Sequence, residues 1–148
     1  MTLSEEVKKS IHDEYNEWVD KQYGGKTLKE RQELGQFFTP PELTIQMIEQ
    51  FTDLEGSILD PCCGSGCLLV GCVLSGGDPN QIYGIDLDSK MVDICRERLS
   101  KFGVPKEHIH HGNSLNDDCY DHFDSSYYYD ENTDSVLLNG RRKFVFGM

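Results

Sequence analysis

Apolar residues recur every three or four positions near the start of the chain, with charged residues between them. The stripe consists of Leu3, Val7, Ile11, Tyr15 and Trp18. This spacing predicts one amphipathic helix that ends before Gly24-Gly25. Its apolar face packs either on its own domain, which is the simpler arrangement, or on a partner chain.

Apolar runs of two lengths alternate through the middle of the chain. They predict short buried strands over residues 57–60, 81–86 and 108–111, and helices over 43–53, 67–74 and 89–101. Thr39 and Ser89 are the expected N-caps of two of these helices. The alternation implies a parallel sheet with right-handed crossovers, as in one half of a doubly wound nucleotide-binding fold.

The last third of the chain has a different composition. Residues 113–135 contain seven acids, four tyrosines and no Lys or Arg, which predicts a solvated loop. Residues 136–146 predict two short strands around an Asn139-Gly140 turn. The predicted organisation is an N-terminal helical segment (1–34), a core (35–116), and an acidic loop with C-terminal strands (117–148) in the same domain.

Length and charge limit the function classes. A chain of 148 residues with 37% hydrophobic residues predicts one globular domain. No membrane span or signal peptide is evident, so we expect a cytoplasmic protein. The formal net charge of −12 disfavours general nucleic-acid binding, because such binders are usually basic. Any contact of this chain with DNA is expected to be weak or indirect.

The six cysteines do not suggest a disulfide framework. Four of them lie within residues 62–72, in a segment that otherwise predicts a buried strand, a turn and a helix. Free cysteines suit such close packing, and we expect them to be reduced. Their spacing does not repeat the paired C-x2-C pattern of zinc sites, so no metal is predicted.

The segment from Asp60 to Gly66 has the composition of a ligand-binding loop. It follows a predicted strand and opens a helix, which is where open parallel sheets bind ligands. Its glycines allow a ligand to approach the backbone closely. Asp86 ends the next strand, where a carboxylate can accept two hydrogen bonds from a ribose diol. The spacing therefore predicts an adenosine site.

Three segments in this order resemble the motifs of a known family. They are Gly35–Pro40 (Gly-Gln-Phe-Phe-Thr-Pro), Asp60–Gly66 (Asp-Pro-Cys-Cys-Gly-Ser-Gly) and Gly84–Asp86 (Gly-Ile-Asp). They are similar to those of adenine-specific DNA methyltransferases, above all the modification subunits of type I restriction systems, in a minimal or truncated form. The resemblance implies an α/β fold, a Rossmann-like class I methyltransferase core with a short, mainly parallel sheet and an N-terminal helical extension. The implied cofactor is S-adenosyl-L-methionine.

The resemblance also implies roles for individual residues. The cofactor-binding set is Phe38, Thr39, Pro40, Asp60, Pro61, Gly64, Ser65, Gly66, Asp86, Leu87, Asn113, Ser114 and Leu115. The first three would line the methionine end of the cofactor, while Asp60 and Gly64 would surround its amino acid portion. Asp86 would hold the ribose and Leu87 would pack on the adenine. In the family, an Asp at the position of Asn113 usually accepts a hydrogen bond from the amino group of the cofactor's adenine. The amide oxygen of Asn113 can accept that bond more weakly, because it lacks the negative charge.

The catalytic motif of the family departs furthest from this sequence. These enzymes carry Asn or Asp, two prolines and an aromatic residue after the fourth strand, and those groups hold the flipped adenine. Here only Asn139 falls at the end of a strand-like run, both prolines and the aromatic residue are lost, and a hairpin turn at Asn139-Gly140 is the favoured interpretation.

Two functions therefore stay open. As an enzyme, the chain would methylate DNA adenine with Asn139 as a degenerate acceptor residue and with a partner. As a non-catalytic module, it would bind the cofactor or occupy a restriction-modification partner subunit. Alone it is expected to be inactive. The C-terminal strands, 135–138 and 141–146, could cover the open edge beside the first strand in the same chain or in a second copy. Together with the apolar N-terminal stripe, they suggest a homodimer as a further prediction.

Overall fold

The computed structural model describes residues 1–24, 27, 29–30 and 38–116, together with four short strands farther along the chain. The helices are α1 (Glu5–Tyr23), α2 (Pro41–Glu49), α3 (Cys67–Leu74) and α4 (Ser89–Ser100). Two 3₁₀ turns span Pro79–Gln81 and Lys106–His108. The strands are β1 (Ile58–Asp60), β2 (Ile82–Asp86), β3 (Ile109–His111), β4 (Tyr127–Asp130), β5 (Ser135–Leu138), β6 (Arg141–Arg142) and β7 (Phe144–Val145).

The main sheet has the strand order β3-β2-β1-β7. Strands β1, β2 and β3 are parallel, with Ile58 opposite Ile82 and Gly84 opposite Ile109. Each connection between them carries a helix, which is the arrangement that parallel pairing requires. The predicted α/β fold with a short parallel sheet is confirmed. Because the strands run the same way, the residues that follow β1, β2 and β3 meet at one edge.

The C-terminal strands form two separate groups. β5 pairs antiparallel with β6, with Leu138 opposite Arg141, which confirms the predicted strand pair. β4 pairs antiparallel with β5, so the prediction of a loop throughout residues 113–135 was wrong. Its three consecutive tyrosines favour a strand more strongly than the surrounding acids oppose it. β7 instead lies parallel to β1, so the predicted second strand is divided between two sheets.

Helix α1 packs on the same core as the sheet. Leu3, Ile11 and Trp18 of its apolar stripe are buried, and Leu3 and Ile11 belong to the main hydrophobic cluster. The stripe therefore packs on its own domain, the simpler of the two predicted arrangements. This removes one of the two surfaces that suggested a homodimer. Within the described residues, no helix has the length and apolarity needed to cross a bilayer.

Two helix starts differ by one residue from the prediction. Pro40, and not Thr39, occupies the N-cap of α2, and Pro41 is the first helical residue. Asp88 caps α4, since its carboxylate accepts a hydrogen bond from the Lys90 backbone N–H. An ionised carboxylate at this position also interacts favourably with the helix dipole. The α2 helix ends at Glu49, short of the predicted residue 53.

Candidate functional site

The turn after β1, residues 62–66, is a glycine loop that opens helix α3. Gly64 and Gly66 have φ angles of +55° and +92°, which side-chain-bearing residues rarely adopt. A Cβ on Gly66 would lie 2.8 Å from the Sγ of Cys95 in α4, whereas a Cβ on Gly64 would meet nothing within 4 Å. Gly66 is therefore fixed by internal packing, while Gly64 faces open space in which a ligand can lie against the backbone.

Asp86 at the end of β2 holds this loop. Its Oδ2 accepts a hydrogen bond from the Gly64 N–H at 2.9 Å, and its Oδ1 accepts one from the Asp88 N–H at 2.9 Å. The Cys63 N–H donates to the carbonyl of Ile85 at 2.9 Å. A carboxylate offers about four acceptor positions. Asp86 can therefore order the loop and still accept hydrogen bonds from a ligand.

Asp60 is a buried carboxyl group, only 3% exposed, at the end of β1. Its Oδ1 accepts a hydrogen bond from the Cys62 N–H at 3.0 Å. Burial raises the pKa of Asp60 to about 7, and the nearby charge of Asp86 adds to the rise. A positively charged ligand group beside Asp60 would stabilise its ionised form, so the site is suited to an ammonium group.

A cavity of about 150 Å³ opens beside this carboxyl group. It is lined by Thr39, Asp60, Gly64 and Ser65 from the predicted set, together with Cys62, Cys63, Cys67 and Leu68. Residues from the segment before α2, the end of β1 and the glycine loop thus meet at one place. A small polar group can enter here, and a larger ligand would extend from it past Gly64 towards β2.

The ends of β2 and β3 form the adjoining surface. Leu87 and Leu115 are 70% and 90% exposed, which is unusual for large apolar side chains. The His111 Nε2 donates a hydrogen bond to the carbonyl of Leu87 at 2.9 Å. Asn113 Oδ1 accepts from the Leu115 N–H at 3.0 Å, which shapes the turn after β3. These contacts leave two apolar side chains available to a flat ring.

The other predicted site residues have structural positions around the loop. Pro61 and Gly66 are buried, and Pro40 is exposed at the cap of α2. The ring of Phe38 makes an edge-to-face contact with Trp18, with centroids 4.7 Å apart, and Phe38 is not among the residues that line the cavity. Ser114 lies between Asn113 and Leu115 and is half-buried. Asn139, the candidate acceptor residue, lies outside the described residues.

Sequence reasoning missed Arg98, which donates a hydrogen bond to the glycine loop. Arg98 is 2% exposed, and its Nη1 donates to the carbonyl of Ser65 at 3.0 Å. It is paired with Glu14 of α1. Both residues fall at helical spacing within apolar stripes, Glu14 between Ile11 and Trp18 and Arg98 three residues after Cys95. A negative charge within one apolar stripe and a positive charge within another are the sequence signal that indicates such an ion pair.

The chain is similar to a known protein family and to two methyltransferases described below. The model of the family described as N-6 DNA Methylase matches residues 8–141. The Type II methyltransferase M.VspI of Vibrio sp. (strain 343) is 29% identical over 132 residues, which cover 87% of this chain and 29% of the relative. The modification methylase CviBIII of Paramecium bursaria Chlorella virus NC1A is 32% identical over 82 residues, or 53% of this chain and 22% of the relative.

Similarity to solved structures covers part of the chain. An RNA methyltransferase from Salinibacter ruber, in complex with S-adenosyl-L-homocysteine, matches with a TM-score of 0.45 and 21% identity. The match covers 55% of this chain and 54% of that protein.

The chain spans less than a third of the length of the two curated relatives, M.VspI and CviBIII.

Proposed function

The chain belongs to the N-6 DNA methylase family, and from that premise we propose that it forms the cofactor-binding part of an adenine-specific DNA methyltransferase. S-adenosyl-L-methionine is the cofactor of this domain. One observation supports the proposal above others. The loop that Asp86 orders leaves open space at Gly64, next to the buried carboxyl group of Asp60.

The residues present fit the chemistry of this cofactor. Its amino acid end carries an ammonium group, which suits the Asp60 carboxyl group in the cavity. Its ribose hydroxyls can donate to Asp86, whose oxygens retain acceptor capacity. The exposed side chains of Leu87 and Leu115 offer apolar surface to the adenine ring. When bound, the cofactor supplies an electrophilic methyl group, and these residues orient and hold it.

Replacement of Asp86 tests this assignment. We expect Asp86→Asn to weaken binding of S-adenosyl-L-homocysteine by ~1.5–3 kcal/mol, because a charge-assisted acceptor for the ribose hydroxyls is lost. Isothermal titration calorimetry measures the effect. Asp88→Asn is the matched control, since it removes a neighbouring charge and keeps an effective helix cap. Equal affinities of the Asp86 and Asp88 variants would contradict the assignment, and no binding by the unmodified chain would contradict the proposed function.

A second candidate function is cofactor binding without turnover. Two observations favour it. The sequence has no Asn or Asp followed by two prolines and an aromatic residue, and β5, which leads to Asn139, pairs with β4 and not with β1. Transfer of a labelled methyl group to unmethylated DNA separates the candidates. Transfer that Asn139→Ala abolishes would support the enzyme, whereas no transfer by a chain that binds the cofactor would support the module.

Contact with DNA provides a further prediction. We expect duplex binding by this chain to be weaker than the ~10⁻⁴–10⁻⁶ M of ordinary non-specific binders, because its charge of −12 repels phosphates. Fluorescence anisotropy at low and physiological salt measures it. The family's action on DNA would then require another segment or subunit to hold the duplex. Tight binding that persists at high salt would contradict this view.

A further inference from the structure

Arg98 connects three elements around the cofactor cavity. Its Nη1 donates to the Ser65 carbonyl at 3.0 Å and lies 3.3 Å from the Sγ of Cys67. Its Nε donates to Glu14 Oε1 at 3.0 Å, and its Nη2 donates to Glu14 Oε2. The guanidinium carbon lies 4.3 Å from the ring centroid of Trp18. One side chain of α4 thus contacts both the glycine loop and two residues of α1.

A second set of contacts connects helix α1 to the cavity. Trp18 contacts the ring of Phe38 edge-on, and Phe38 directly precedes Thr39, which lines the cavity. One connection runs through the carbonyl of Ser65, and the other runs through Phe38 in the segment before α2. Trp18 takes part in both, because Arg98 lies over its face and Phe38 meets its edge.

We infer that Arg98 is a positioning residue for the cofactor loop and that Glu14 and Trp18 make helix α1 part of the cofactor site. The inference rests on the proposed function. A buried guanidinium needs a carboxylate partner, and Glu14 provides a bidentate one. With Nε and Nη2 donating to Glu14, the Nη1 group of Arg98 is directed at the Ser65 carbonyl. That contact fixes the peptide between the two positive-φ glycines and hence the open surface at Gly64.

The structure contains a matched control for this role. Lys21 of α1 and Glu97 of α4 form a second ion pair between the same two helices, at 2.8 Å. Both side chains are more than half exposed, and neither lines the cavity beside the glycine loop. A surface pair of this kind contributes little to stability. Removing it tests helix docking alone, without changing the Ser65 contact.

The experiment compares four single variants of the full chain by titration with S-adenosyl-L-homocysteine. Arg98→Lys keeps the charge but cannot supply the planar fork, and Glu14→Gln removes the charge of its partner. We expect both to weaken affinity about tenfold or more, because a charged hydrogen bond that orders the loop is lost or loosened. Lys21→Gln and Glu97→Gln are expected to change affinity less than about twofold.

A second measurement separates positioning from loss of folding. Trp18 is the single tryptophan of the chain, so its fluorescence reports on the contact with Phe38 and Arg98. We expect S-adenosyl-L-homocysteine to shift the Trp18 fluorescence in the wild type and in the Lys21 variant. The shift should be much smaller in the Glu14 variant. Amide hydrogen exchange at Gly64 and Gly66 should accelerate in the Glu14 variant without cofactor, while exchange at Ile85 in β2 remains unchanged.

The outcomes are distinguishable. Weaker binding by both the Arg98 and Glu14 variants and faster loop exchange in the Glu14 variant, with an intact β2, would support the inference. Wild-type affinity in both variants would overturn it and leave the proposed function standing. Equal losses in the Lys21 and Glu14 variants would also overturn it, since helix docking would then explain the effect. No binding by the wild type would overturn both the inference and the proposed function.

Discussion

Replacement of Asp60 by asparagine is expected to stabilise the cofactor-free protein above pH 7. The pKa of Asp60 is raised by burial from 3.8 to about 7. Between these pH values the folded protein binds more protons than the unfolded chain, so the free energy of unfolding falls as pH rises. The loss is on the order of 4 kcal/mol once Asp60 is ionised. The amide side chain of the Asp60→Asn variant cannot ionise, so the variant avoids this loss.

The same substitution is expected to weaken cofactor binding. In the wild type, an ammonium group beside Asp60 favours its ionised form, so binding releases a proton near neutral pH. The affinity should therefore rise as pH increases from 6 to 8 in the wild type and remain nearly constant in Asp60→Asn. Calorimetric titrations in two buffers of different ionisation enthalpy measure the proton release directly.

Asp53 provides the control for the Asp60 substitution. Its Oδ1 accepts a hydrogen bond from the backbone N–H two residues later, as the Oδ1 of Asp60 does, but Asp53 is exposed. Because Asp53 does not line the cavity, we expect Asp53→Asn to leave cofactor affinity unchanged. Chemical denaturation from pH 4 to pH 8 compares the three proteins. If the wild type and Asp60→Asn show parallel stability curves, the carboxyl group is not protonated as described.

The glycine loop could be predicted from the sequence because its signals are local. Asp60, Gly64 and Gly66 lie within seven consecutive residues, and a strand followed by glycines and an apolar run leaves few backbone conformations. Asp86 was predicted for a similar reason, since parallel pairing brings the ends of adjacent strands together. The roles assigned to the individual ligand contacts remain predictions.

The contacts that the sequence did not reveal join distant residues. Glu14 and Arg98 are 84 positions apart, and the sequence indicated that a C-terminal strand could cover the edge beside β1 but not the register that places Phe144 opposite Ile58. A strand of two residues carries no detectable period, and its partner is selected by the sheet edge that it meets. The cap of α2 was misplaced for a different reason. Thr39 is a good capping residue in isolation, but two consecutive prolines fix the first helical turn one residue later.

Alanine substitutions at Gly66 and Gly64, the two positive-φ glycines of the loop, are expected to differ in their effects. Gly66→Ala should reduce stability more, and Gly64→Ala should weaken cofactor binding more. Gly66→Ala should lower the free energy of unfolding by ~2–3 kcal/mol, because its φ of +92° is strained for alanine and its Cβ would lie 2.8 Å from the Cys95 Sγ. Gly64→Ala should cost only ~1 kcal/mol of stability, because φ of +55° lies in the left-handed region and nothing lies within 4 Å. Thermal and chemical denaturation measure both values.

Among the folded proteins, Gly64→Ala should bind the cofactor more weakly than Gly66→Ala. The methyl group of Gly64→Ala projects into the open space where the proposed ligand approaches the backbone, so we expect at least about a tenfold weaker binding, or ~1.4 kcal/mol. Cys95→Ala removes the sulfur that the Gly66→Ala methyl group meets. The double variant should therefore recover part of the lost stability, because the two sites are in contact and their effects are not additive. If Gly64→Ala binds S-adenosyl-L-homocysteine as tightly as the wild type, the cofactor does not approach the loop at Gly64, and the site must be placed elsewhere.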